Sequence, residues 1–283
     1  MSLSVTASPN LNTLAPAFAQ AFDRLAQVPA LKSLNESLWL FSLIETFHLL
    51  AMAVLGGAVL VLNLRLLGVA LQQVPPGDVE RATRPWLWLG IAGTIATGTV
   101  MALATAVSTL ASAAFVVKMV ALVAAILFSL AVSREVRRGT ATGRGPQLLA
   151  VAAVLLWAMA LLLFATTQNL GGGALLVAVA GFVLFAALTP GRRLAYALGV
   201  GSVLAVGLIG SLLAPATAEG DALAHRLSLG AVGVALAYAL AVWLLARKPG
   251  AASPAQGPAR LTAFACTLAW VTAAAAGRWI GFS

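Results

Sequence analysis

The chain has 283 residues, of which 61% are hydrophobic and only 9% charged, with a mean hydropathy of +0.99, which excludes a soluble domain that must cover its surface with charge. The formal charge of +9 is carried singly or in short clusters between apolar runs, without aromatic interleaving. That pattern excludes a nucleic-acid footprint and fits loop charges that orient a membrane protein.

Bilayer hydrocarbon offers no partner to backbone N–H and C=O groups, so a spanning chain is helical or a closed barrel. The Ala/Leu/Val/Gly runs are too long and too apolar on every face for alternating barrel strands. The expected fold is therefore all-α, a polytopic transmembrane bundle of about eight spans, and the lipid bilayer is its first partner.

In chain order, residues 1–35 lack the charged start, apolar run and cleavage site of a signal peptide. Leu14, Phe18, Phe22 and Leu25 recur at helical spacing and predict a short amphipathic helix on the membrane surface. Ser33 and Glu36 have the spacing of a capping box that would open the next helix. Runs long enough to cross roughly 30 Å of hydrocarbon fall near 37–63, 86–107, 112–133, 148–166, 172–189, 194–213, 222–246 and 261–282. This divides the chain into a periplasmic amphipathic segment (1–35), a three-span core (36–140), a four-span inserted block (147–247) and a final core span (259–283). Glycines in the inserted block, such as Gly199, Gly207 and Gly210, are read as packing residues, as is the single cysteine, Cys266. The stretch from Pro249 to Pro258 reads as a linker.

The connectors divide by charge. Those after the first, third, fifth and seventh runs hold Arg65, Arg81 and Arg84, then Arg134 to Arg144, then Arg192 and Arg193, then Arg247, Lys248 and Arg260. Those after the second and fourth hold no Lys or Arg, and the one after the sixth holds Glu219 and Asp221, with Arg226 at its end. The positive-inside rule places the first set in the cytoplasm of a bacterial inner membrane, with both termini outside. Arg65 then snorkels at the inner end of the first span.

Ionisable side chains within spans are costly and point to function. Glu45 and His48 share a face of the first span, ~10 and ~15 Å below its outer end, and Lys118 lies ~10 Å deep in the third. Arg278 and His225 are shallower, and all five fall in the outer half. Glu45 is expected to pair with Lys118 or Arg278, because an unpaired buried charge costs several kcal/mol. A purely structural role as an interhelical ion pair and a hydrogen-bonded histidine is the bland alternative.

The stretch Ile44-Glu45-Thr46-Phe47-His48-Leu49-Leu50, then Asn63-Leu64-Arg65-Leu66-Leu67-Gly68 and the closing Gly277-Arg278-Trp279-Ile280-Gly281-Phe282, resembles a family of uncharacterised bacterial inner-membrane proteins. More distantly, the histidine, the arginine and the lysine in the third span are similar to the copper-resistance D superfamily and the haem-associated protoporphyrinogen oxidases. The resemblance covers about 36–140 and 261–283. The Tyr and Asn expected before the Phe-x-x-Lys of the third span are replaced here by Ser112-Ala113-Ala114.

The resemblance implies a haem b site in which His48 is the metal ligand, with Lys118 and Arg278 neutralising propionates and Glu45 and His225 nearby. The second axial position would be vacant or filled by Met52, Met101 or Met119. That makes a membrane redox protein the leading expectation, with other membrane subunits or a periplasmic redox protein as partners. A copper or small-solute carrier using His48 and Met52 is the alternative, and a non-catalytic anchor subunit a second. No motif for nucleotide or hydrolase chemistry appears in a usable context, so no residue is assigned a catalytic role and an enzymatic activity stays open.

Overall fold

A computed structural model describes residues 10–138, 144–167, 171–188, 193–246 and 257–280. Among these the protein is all-α, with no strand. Three short helices come first, α1 (Leu11–Leu14), α2 (Pro16–Ala26) and α3 (Pro29–Glu36). Then follow α4 (Leu38–Leu67), α5 (Pro76–Ala104), α6 (Ala106–Ala111), α7 (Ala113–Arg138), α8 (Arg144–Thr166), α9 (Gly171–Leu188), α10 (Arg193–Leu212), α11 (Ala218–Ala246) and α12 (Gly257–Trp279).

Five of these are long and apolar enough to cross a membrane, over Trp39–Leu67, Pro76–Ala104, Ala113–Arg138, Pro146–Thr166 and Ala259–Trp279. Shorter apolar stretches, Leu175–Leu184 and Leu198–Leu212, lie in α9 and α10. The structure thus supports a multi-pass membrane protein without reaching the expected eight spans. The expected linker lies outside the described residues through 256, and Gly257 and Pro258 already begin α12.

Several boundaries differ from expectation. Pro29 starts α3 at its first turn, where a missing N–H is harmless, so Ser33 sits inside that helix and donates its hydroxyl to the Ala30 carbonyl at 3.0 Å. The Ser33–Glu36 capping box therefore does not open the next helix; α4 starts after Ser37, which makes no side-chain cap. Helix α5 begins ten residues before the expected apolar run. Pro76 occupies its first turn and Asp78 complements the helix N-terminus. Gly68, in the left-handed conformation (φ 74°), ends α4, and Arg65 does more than snorkel: its Nε donates to the Val74 carbonyl at 2.5 Å and ties down the connector.

Helices α7 and α12 form the centre. Ala121, Ala124 and Ala125 of α7 and Ala269 and Ala276 of α12 are fully buried, and such small side chains let the two backbones approach. The α4–α5 hairpin packs on this pair chiefly through α4 against α12, and α8 packs chiefly on α7. Helix α8 inserts Ala153 and Phe164 into the core, and its Trp157 donates to Thr272 Oγ1 of α12 at 3.0 Å. Helix α9 links α12 to the α10–α11 hairpin, which has its own apolar cluster around Leu175, Val200, Leu204 and Ala235. At the N-terminus α2 buries Ala19 against the bundle and leaves Phe18 and Leu25 exposed, while Leu14 is exposed on α1, so the single helix expected over Leu14 to Leu25 is broken at Ala15, where Pro16 starts a new first turn.

Candidate functional site

His48 owes its position to the face of α5 that α4 packs against. That face carries Gly90, Gly93, Thr94, Thr97 and Gly98 at helical spacing. A Cβ on Gly90 would lie 2.7 Å from Leu55 Cβ, one on Gly93 3.0 Å from Ala51 Cβ, and one on Gly98 3.1 Å from His48 Cε1. The register is antiparallel, and His48 is set into the notch above Gly98.

The imidazole is buried, at 7% exposure, and its Nδ1 lies 2.8 Å from Thr97 Oγ1. That hydroxyl has one proton, which it donates to the Gly93 carbonyl at 2.6 Å. Thr97 must therefore accept from an Nδ1–H, and this network assigns the tautomer that leaves Nε2 as the ring's basic nitrogen. One turn away, the buried Thr94 Oγ1 has no hydrogen-bond partner. An orphan hydroxyl is rare in a packed interior, where a lost hydrogen bond costs about 1–3 kcal/mol.

Lys118 comes from α7, whose N-terminus is capped by Ser112 Oγ accepting from Phe115 N–H at 3.3 Å. Its half-buried side chain runs beside Gly277 of α12, where an added Cβ would stand 3.4 Å from Cε and 3.5 Å from Nζ. Lys118 thus lies on the α7–α12 seam, and α12 in turn packs on α4, the helix that carries His48. Among the described residues no carboxylate forms a salt bridge with it.

Of the first, third and last spans expected around the site, α12 packs on both α4 and α7, and α5, which was not among them, packs on α4 through its glycines. Glu45 does not join this packing. It is exposed and forms no ion pair with Lys118 or Arg278, because its three-residue offset from His48 turns it past the edge that α5 covers. Arg278 is also exposed, one position beyond the inward-facing Gly277. His225 lies on α11, which packs chiefly on α10 and α9, so it is not brought to His48; its Nδ1 is buried without a partner. Met52 and Met119 are half-buried beside His48 and Lys118 in sequence. Among the described residues no three of His, Cys, Asp or Glu converge on a common point.

Sequence reasoning missed a second polar cluster. Glu80, 2% exposed, accepts from Ser133 Oγ at 2.5 Å and faces Arg84 and Arg137 at 3.8 and 3.9 Å. It fastens the polar end of α5 to α7, and the Glu80/Arg84 spacing of four was the available signal. Further along the core, Asn63 donates to Thr267 Oγ1 at 3.0 Å and Trp270 Nε1 to Ser129 Oγ at 3.0 Å, with Cys266 buried against Ser129. Cys266 is thus a packing residue, as expected.

Neither a curated protein nor a solved structure matches the chain. A family of unknown function (DUF6644) matches residues 40–171, a stretch that begins in α4 and runs through α8, and so takes in His48, Thr97 and Lys118 but not Gly277 or Arg278.

Proposed function

We propose that the chain is a multi-pass protein of a bacterial inner membrane whose α4–α5–α7–α12 core binds b-type haem through His48 and serves electron transfer. The observation that carries this reading is the setting of His48: a buried imidazole whose Nδ1–H is held by Thr97, leaving Nε2 to ligate. Ligating histidines are oriented by such a bond on the other nitrogen. Lys118, with no carboxylate partner among the described residues and only a turn or so from the N-terminus of α7, suits a propionate, and the Thr94 hydroxyl offers one further polar contact. Bound haem would supply a one-electron redox couple at its iron.

Copper suits these residues less well, since Lys118 repels a cation and the half-buried Met52 is the one soft donor a turn from His48. A supporting role as a membrane subunit is favoured by one observation, the exposed carboxylate of Glu45 inside a candidate span, which a neighbouring subunit covering α4 would shield from lipid.

The test is the absorption spectrum of detergent-purified protein, oxidised and dithionite-reduced, after expression with ample haem. A Soret band is expected, lost in His48→Ala and retained in His225→Ala, with both variants checked for monodispersity. A wild type without the band ends the haem reading.

The proposed orientation has the α5–α6–α7 connector outside and the end of α7 in the cytoplasm. Ser108 and Arg138 are both exposed. In Cys266→Ala spheroplasts a membrane-impermeant maleimide should label Ser108→Cys and spare Arg138→Cys; the reverse pattern would move His48 to the inner half.

A further inference from the structure

Away from that core, the α10–α11 hairpin closes at one point and opens at the next. At Gly207 an added Cβ would collide with Ala231 Cβ, so the two helices touch there through their smallest side chains. At Gly230 an added Cβ would meet nothing within 4 Å. The opening is an apolar groove of about 400 Å³, walled by Val203 and Val206 on α10 and by Leu227 and Val234 on α11. That volume is in the range of ligand clefts. From Arg226 to Val234 it extends ~12 Å along α11.

One polar group of consequence lines the groove. Arg226 sits at the end nearer the α10–α11 turn, is exposed, and forms no salt bridge among the described residues. A guanidinium above an apolar slot matches a phosphodiester above an acyl chain, because its fork of donors pairs phosphate oxygens two at a time. Seven residues earlier, Glu219 falls on the same face of α11, ~10 Å nearer the turn, and is exposed. Asp221 lies off that face, at about 140° to Arg226.

The order along this face is apolar groove, cation, then anion. We infer that the α10–α11 groove is a binding site for a zwitterionic aminophospholipid, with one acyl chain beside Gly230, the phosphate on Arg226 and the terminal ammonium toward Glu219. An anionic glycerol lipid satisfies Arg226 equally but presents neutral hydroxyls to Glu219 in place of an ammonium and forgoes that ion pair, so the carboxylate sets the preference. The site shares no residue with the His48 core and does not depend on what that core binds.

Native mass spectrometry of the full-length protein in mild detergent tests this, using palmitoyl-oleoyl phosphatidylethanolamine and phosphatidylglycerol as competing probes. The wild type should retain the ethanolamine lipid in preference to the glycerol lipid. Arg226→Gln should weaken both by about tenfold, the weight of one charge-assisted contact. Glu219→Gln should erase the preference while keeping binding, and Gly230→Phe, which grows into open space rather than into a neighbour, should block both lipids without lowering the melting temperature. Undiminished binding by Gly230→Phe, or a wild-type preference for the glycerol lipid, would overturn the proposal.

Discussion

Gly90→Leu is expected to abolish recovery of folded protein, whereas Gly57→Leu on the partner helix is expected to be tolerated. At Gly90 the first added carbon would already lie 2.7 Å from Leu55 Cβ and 2.8 Å from its Cα and N. Two of these are backbone atoms of α4, which cannot move without breaking that helix's hydrogen bonds. Alanine alone must push α4 and α5 apart, and overpacking of this kind costs about 1–3 kcal/mol. Leucine asks for far more room, against a total stability of about 5–15 kcal/mol for a typical domain. Gly57, by contrast, has nothing within 4 Å of its missing Cβ, so a side chain there meets no protein atom and improves helix propensity by up to about 1 kcal/mol. Yield and melting temperature by fluorescence-detected size exclusion would compare the two. Gly90→Leu melting with the wild type would mean that α4 and α5 are not in this register.

The same contact shows why some of the site was legible in the sequence and some was not. His48 and Lys118 stand out because ionisable groups within apolar runs are rare, and the structure turns both toward neighbouring helices, His48 onto α5 and Lys118 onto α12. Which face of a span is turned inward is harder to read. Along α4 most positions outside Glu45 and His48 are apolar, so no contrast distinguishes lipid from protein, and the cost of a charge in lipid points Glu45 inward with nothing on its own helix to correct that expectation. The decisive signal lay in the partner helix, where Gly90, Gly93 and Gly98 mark the face that α4 can approach. Thr97, which orients the imidazole, is one threonine among several in α5 and becomes identifiable only once the glycine face is known.

Run length locates α4, α7, α8 and α12, whose long apolar stretches are bounded by charged or polar residues. It failed at the start of α5, because Asp78, Glu80, Arg81 and Arg84 look like a loop. Helix geometry turns Val79 and Glu80 onto α7 while Arg81 faces water, so the segment is an amphipathic extension of a spanning helix. Glu80 is buried there at acceptable cost only because Ser133, Arg84 and Arg137 surround it. That cluster and the Asn63–Thr267 and Trp270–Ser129 bonds fix α4, α5, α7 and α12 against one another below the His48 site. A preorganised frame of this kind is what a metal-ligating imidazole needs, since its ring must be held before the ligand arrives.

Lys118→Met is expected to stabilise the haem-free protein and to weaken its retention of haem. The ammonium is half-buried and lies along Gly277, and no carboxylate among the described residues neutralises it. Methionine follows a similar unbranched path past Gly277 without the charge, so the desolvation penalty disappears while the packing is kept. The gain should be about 1–3 kcal/mol, visible as a higher melting temperature. Once haem is bound the sign reverses, because the charge then faces a propionate and its loss removes a charge-assisted contact. Opposite shifts in the two preparations would mark Lys118 as a residue kept for its ligand at the expense of stability. A lower melting temperature for the haem-free variant would instead show that Lys118 holds the helices together, and that its place beside Gly277 is structural.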